Sequence, residues 1–440
     1  MAGTATTLLT AALTPTAAAQ ARTDQPPGRP VDGSVDRPAD AQRLACSFHE
    51  PVCVHASPST AGAVSPATVA DTLSVAEGVL GGLRALGLPP PLGDGALGGS
   101  ADLDIYLAAT GSGTAAHADS RVSTASLDRT SAFVIAPARV AGPECGTAAG
   151  LARGLSQAVL LGLDAAQHEG TLALHSSYLA SLLTPCHALE AAAVDQFQRT
   201  PQRSLTSGRR DRHGGAMLLS AYLDSAYGMG TPGAVMSGLI ATSGQQSPPE
   251  ATHWSNEPDV FDALREVLPS RGKQLGEMLV DFAVARAFVG NRSDGAHLSD
   301  TERFGDLGRV RFEWSIPYDT LPRRVGPLRP VEPSGATYLW LDLTKAKPHS
   351  GVLFIAEWEE SFVFQWCLVR VDAEGREIGR SNLGGVFGKN LVQLTLNDLG
   401  EAAGLLMVGT SLGNDDRSNA FDPDVGPPRE AAYEVTLHAR

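Results

Sequence analysis

The chain has 440 residues, 43% of them apolar and 6% aromatic, which is enough length for two or three domains that each bury a core and the composition of an ordinary globular protein. The 34 Lys and Arg stand against 48 Asp and Glu, a formal charge of -14, which argues against nucleic acid or an anionic lipid surface as a general partner. No run of about 18 uninterrupted apolar residues occurs, so no membrane span is expected.

Residues 1–21 carry a modest apolar run that ends in small residues, the form of a secretory signal cleaved near Ala19 or Ala21. No Lys or Arg precedes that run, so a disordered tail or a different start remains the alternative. Residues 22–44, rich in Pro, Asp and Gly as far as Ala41, read as a flexible linker. Five cysteines follow. Cys46 and Cys53 enclose a short loop, Cys145 and Cys186 bracket a two-helix segment, and Cys367 is left over. Two disulfides would fit an oxidising compartment, hence a secreted or envelope location, with five free thiols as the alternative. C-x6-C without a second close pair matches no common zinc site.

Ser65 and Pro66 supply an N-cap and an N1 proline, and Val69, Leu73, Ala76, Leu80 and Leu83 then repeat at helical intervals. Breakers fill 87–99, and 103–108 and 132–136 read as short strands separated by a polar loop. Helical periodicity then dominates, over 146–163, 168–199 with a break near Pro185, 215–227, 232–242, 258–267 and 272–289. After Asn291 the pattern alternates, predicting strands at 309–316, 337–343, 352–358, 362–371, 392–396, 405–410 and 433–438. The fold class expected is α+β, an α-rich domain followed by an antiparallel β-sandwich.

The helix predicted from 146 contains Arg153-Gly154-Leu155-Ser156-Gln157. Leu151, Leu155, Ala158 and Val159 make its apolar stripe, while Arg153 and Gln157 share another face at i and i+4. Three stretches give this segment a context: a helix from Ala67 running into LGLPPPLGDGALGGSADLDIYLA; GLARGLSQAVLLGLDA; and GAMLLSAYLDSAYG with DVFDALREVLPSRGKQLGEMLVDFAVARAFVG. In that order, from about Thr68 onward, the chain resembles a family of secreted bacterial metalloproteases with a gluzincin-like (zincin) helical domain and a β-sandwich. The resemblance implies that 45–295 is the peptidase-type domain and 305–440 the sandwich. It also implies that 153–157 occupies the place of H-E-x-x-H, and that the third ligand, a Glu in the family, falls near His175.

The residues at that place cannot do the family's chemistry. A guanidinium is permanently protonated and offers no lone pair, Gly154 has no side chain to act as base, and Gln157 offers only a neutral amide oxygen where zinc takes N, S or carboxylate donors. Arg153, Gly154, Gln157 and His175 therefore read as a vestigial slot, zinc is expected to be absent, and the resemblance implies a catalytically inactive peptidase homologue with a binding or structural role, whose cleft is able to hold a peptide or protein ligand. Two alternatives stay open: an active zinc peptidase with ligands recruited from His168, Glu169 and His175, and an adhesion module led by the β-sandwich.

Other features have plainer readings beside functional ones. Glu169 could pair with Arg153 or simply favour the start of its helix. His168 and His175, at i and i+7, share a helix face but stand about 10 Å apart along it, too far for one zinc without help. Gly228-Met-Gly-Thr-Pro-Gly233 matches G-x-G-x-x-G but follows a helix, so it reads as a turn. The basic run 208–215 reads as a solvated loop or a site for an acidic partner. Asn414, Asp415, Asp416, Asp422 and Asp424 read as a turn rich in Asp and Asn, with a calcium site as the alternative, since no calcium-loop spacing is present. Trp340, Trp358, Phe362, Phe364 and Trp366 read as sandwich core or as a carbohydrate-stacking face. No phosphate-binding P-loop occurs.

Overall fold

Val52–Ala56 (β2), Leu103–Ala108 (β3) and Ala132–Pro137 (β5) are almost entirely buried runs, the composition of strands covered on both faces, and they pair in parallel. Gln42–Cys46 (β1) and Ala115–Ala118 (β4) close the two edges antiparallel, giving the order β1-β2-β3-β5-β4. Cys46 and Cys53 face each other in the β1–β2 register and form a disulfide with Cα atoms 4.0 Å apart. The computed structural model describes residues 35–61, 64–108, 114–119, 129–138, 145–207, 213–244, 257–386, 388–414 and 429–440. The expected signal at 1–21, the basic run at 208–212 and the acidic residues at 415–424 lie outside them.

Alternation sorts the two faces of this sheet. Val52, Val54, Ile105, Leu107 and Val134 point to one side and share a core with Pro66–Ala85 (α2) and Cys145–Leu161 (α3); a single turn, Pro58–Ala61 (α1), precedes α2. Ser65 caps α2 by accepting from the Thr68 N–H at 3.0 Å, as its place before Pro66 predicts. His55, Asp104, Tyr106 and Phe133 point to the other side, and there Arg37 is inserted. Its guanidinium pairs with Asp94 at 2.8 Å and with Asp104, donates to Asp119 at 3.0 Å, and lies 5.1 Å from the centre of the Phe133 ring. Over 35–44, within the segment read as linker, the largely buried Arg37 guanidinium ties the chain to three carboxylates, and β1 begins at Gln42.

The same core gathers Glu169–Leu183 (α4), His187–Gln198 (α5), Met217–Tyr227 (α6), Ala234–Ser243 (α7), Val260–Val267 (α8) and Leu275–Ala287 (α9). Asp224 ties three of them by accepting from the Tyr178 hydroxyl and from the N–H groups of Gly233 and Val235 at the start of α7. The G-x-G-x-x-G run is the α6–α7 turn, with Gly230 and Gly233 at φ of 78° and 80°.

Beyond α9 the chain is β-rich and the fold class is α+β. Trp314–Pro317 (β6), Ala336–Asp342 (β8), Phe362–Val371 (β10), Glu377–Gly384 (β11) and Gly404–Asn414 (β13) form one sheet, ordered β11-β10-β13-β8-β6. Arg323–Val325 (β7), Val352–Trp358 (β9), Leu391–Leu396 (β12) and Tyr433–Ala439 (β14) form the other, ordered β12-β9-β14-β7. Pairing is antiparallel as expected except between β6 and β8, which run parallel. Trp358, Phe362, Phe364 and Trp366 lie between the sheets in the core, while Trp340 stacks on Phe312 at 5.8 Å. The first sheet's outer face is covered by Val280, Ala283, Val284 and Ala287 of α9, where the Tyr338 hydroxyl donates to the Ala283 carbonyl at 2.7 Å. Cys367 is buried there, and burial raises its thiol pKa to about 12, so it is inert near neutrality. No helix among the described residues is long and apolar enough to cross a membrane.

Arg37→Ala would leave Asp94, Asp104 and Asp119 facing one another in a buried site. It is expected to cost about 3–5 kcal/mol, because the remaining charges lose their counter-ion without regaining water. Urea unfolding reads this directly, and an unchanged midpoint would contradict the placement of residue 37.

Candidate functional site

Glycines set the position of α3. A Cβ at Gly154 would lie 3.0 Å from Thr114 Cγ2 and 3.1 Å from Val134 Cγ1, and one at Gly150 would lie 3.2 Å from Thr114 Oγ1. One turn apart on the same face, the two bare positions let the helix lie directly against β5 and the start of β4. With that face turned inward, Gln157 reaches the sheet edge, where the Ala116 N–H donates to its Oε1 at 3.5 Å. Arg153 lines a cavity on the side away from the sheet core.

Two helices complete that cavity. His168 caps α4 through Nδ1, which accepts from the Gly170 N–H at 3.2 Å, and Glu169 adds a favourable first-turn carboxylate. Pro185, which cannot continue a helix, ends α4 and turns the chain into α5. The Cys145–Cys186 disulfide, with Cα atoms 5.3 Å apart, staples the start of α3 to this corner. Between α3, α4 and α5 lies a cavity of about 420 Å³, within the range of small-ligand pockets. Its α4 wall is Ser177, Ala180, Ser181 and Thr184, a stripe of small residues at i, i+3, i+4 and i+7. Leu189, half exposed, and Met217 supply apolar surface.

The positive charge in this cavity is uncompensated among the described residues. Glu190 also lines it, but its carboxylate accepts from Arg303 at 2.7 Å and from the Cys186 N–H at 3.1 Å. Arg153 has no carboxylate or hydrogen-bond acceptor among the described residues, so the pair considered with Glu169 is not formed. Although Arg153 reaches solvent, the protein around it desolvates the guanidinium and pushes its pKa below the usual value, leaving it charged at neutral pH. The Ser177 hydroxyl is likewise without a partner there, whereas Ser181 donates to the Tyr178 carbonyl at 2.8 Å and Thr184 to the Ala180 carbonyl at 3.2 Å.

His175 is placed elsewhere. It is buried within α4, does not line the cavity, and neither ring nitrogen has a hydrogen-bond partner, so burial lowers its pKa to about 4 and keeps it neutral. The slot residues do not fit zinc: Arg153 is a cation, Gly154 faces the sheet, Gln157 is engaged by the edge strand, and His175 is outside the cavity. Nor do His168, Glu169 and His175 converge. Among the described residues the groups close enough to share a metal are Cys46, Cys53 and Asp102, and Cys53, His55 and Asp104; both contain Cys53, which is spent in a disulfide. The residues that sequence reasoning missed are Ser177, Ser181, Leu189 and Glu190, and the small-residue stripe of α4 was the signal that could have found the first two.

No family model matches this chain, and no curated protein matches it. Solved structures that align with parts of it include three bacterial proteins. The pre-peptidase C-terminal domain of collagenase from Bacillus anthracis is 9% identical over 29% of this chain and 98% of its own, with a TM-score of 0.20. The Yersinia pseudotuberculosis-derived mitogen is 13% identical over 27% of this chain and 86% of its own, with a TM-score of 0.18. CorA, a surface-associated copper-binding protein of Methylomicrobium album BG8, is 12% identical over 28% of this chain and 96% of its own, with a TM-score of 0.19. Likenesses this slight carry no argument about what the chain does.

Two consequences can be measured. Gly154→Glu would drive a charged side chain into Thr114 and Val134; a loss of about 3 kcal/mol or more in unfolding free energy is expected, and a variant as stable as the parent would contradict the packing. His175 has a folded pKa below its unfolded value of 6.5, so its contribution is whole above pH 6.5 and is lost as pH falls toward 4. That loss amounts to about 3 kcal/mol. His175→Leu should match or exceed the parent's stability at pH 7 and show a shallower decline between pH 6.5 and 4 in denaturant titrations; a parallel decline would refute the assignment.

Proposed function

We propose that this chain is a catalytically silent relative of gluzincin-type peptidases, with the peptidase-type unit at 45–295 and the sandwich at 305–440, that binds a peptide in the cavity between α3, α4 and α5. One observation carries the reading: a ligand-sized cavity lies beside the helix that resembles the family's metal-binding helix, and its wall presents Arg153 where a metal ligand would stand. A mixed sheet with an antiparallel edge strand beside α3 supports it. An edge strand there could pair with an extended peptide, while the cavity takes a side chain or terminus. The donor set argues against a retained zinc mechanism, since a cation in the cavity opposes a second cation. The two disulfides are compatible with an extracellular or envelope location.

The test uses the full chain with fluorescent peptides from a casein digest, with and without added zinc. Peptides should be retained uncleaved, and Ser181→Trp, which fills the cavity from the half-buried α4 wall, should lower retention at least about tenfold, the scale on which one well-made contact acts. Zinc-dependent cleavage would overturn the reading, as would undiminished retention by a folded Ser181→Trp protein.

A further inference from the structure

We infer that the cavity takes the carboxylate end of its ligand, with Arg153 as the anchor and an apolar side chain seated beside Leu189 and Met217. The inference rests on the peptide-binding reading for the identity of the ligand, but its physical basis is separate. The Arg153 guanidinium is exposed on the cavity wall and has no counter-ion among the described residues, so it is available to an anionic group, and the other charged wall residue, Glu190, is neutralised by Arg303. Arg presents a planar fork of donors that matches a carboxylate in two parallel hydrogen bonds. The Ser177 hydroxyl, unpartnered on the α4 wall, offers a further donor. Gly146 and Thr147 in the first turn of α3 line the same cavity, so the positive end of a 17-residue helix adds to the field. The remaining wall is small or apolar, so the cavity suits one carboxylate with one hydrophobic residue better than a polyanion such as phosphate-rich nucleic acid.

Calorimetric titration of the full chain with N-acetyl-Leu-Phe as the free acid, its C-terminal amide, and hexanoate separates the possibilities. The free acid should bind at least about tenfold more tightly than the amide, the size of one charge-assisted pair. Arg153→Met should abolish that preference, Arg153→Lys should retain part of it, and Ser181→Trp should block the free acid while leaving the guanidinium in place. Thermal melts confirm that each variant is folded. Equal binding of acid and amide, or a preference that survives in Arg153→Met, overturns the inference and leaves peptide binding standing. Arg153-dependent binding of hexanoate with neither peptide bound supports the carboxylate anchor and removes the peptide reading. Failure of all three ligands to bind the parent chain overturns both.

Discussion

The closeness of α3 to the sheet is the constraint on which the site depends. Two glycines one turn apart leave no side chains between the helix and Thr114 and Val134, so this face of the helix lies close against the sheet. That placement sends Leu151 and Leu155 into the core, brings Gln157 to the N–H of the edge strand, and leaves Arg153 on the cavity wall. The disulfide from Cys145 to Cys186 holds the helix's first turn against the α4–α5 corner. Closing a loop of this length is worth about 4 kcal/mol in the chain-entropy account. Gly154 is therefore a packing residue in this molecule.

Three arginines show how differently the fold treats a cation. Arg37 is surrounded by three carboxylates, and burial together with that pairing makes it a clasp for the N-terminal segment. Arg286, 1% exposed, has neutral partners instead: its Nε donates to Gln198 Oε1 at 3.0 Å and its guanidinium lies 4.1 Å from the centre of the Phe197 ring. This places a buried charge where α5 and α9 meet the β-rich region. Arg153 has neither solution among the described residues. A solvent-exposed charge on a cavity wall, with no partner among the described residues, is available to a ligand.

Much of this was legible in the chain, for physical reasons that differ by element. The helices from 146 onward declared themselves through the 3.6-residue repeat of Leu, Val and Ala, with Pro185 and Gly228 as stops. The hydrophobic strands β8, β9, β10 and β13 did so through alternation and β-branched content. β2 was missed because VCVHA is buried on both faces and so has no period, β4 because Ala-Ala-His-Ala has little strand propensity of its own, and β11 because its edge position leaves it polar. Strand β6 is shorter than the alternation at 309–316 predicted: residues 309–313 lead into it with isolated backbone hydrogen bonds, from the Arg311 N–H to the Gln198 carbonyl and from the Glu313 N–H to the Tyr338 carbonyl. At the site, the shared face of Arg153 and Gln157 followed from spacing alone. What Gly154 touches did not, because a glycine's neighbours are supplied by Thr114 and Val134 on other elements. The burial of His175 was hidden for the same reason: α4 is apolar nearly all round, so no face of it marks the interior.

The central claim is that α3 is held so that Arg153 stands unpaired in a ligand-sized cavity. A crystal structure of the full chain soaked with N-acetyl-Leu-Phe tests it most directly. The account predicts the ligand's carboxylate within hydrogen-bond distance of the Arg153 guanidinium, between α3 and α5, with Gly154 in contact with Val134. A ligand bound elsewhere, or an Arg153 side chain satisfied by one of the protein's own carboxylates, would contradict it.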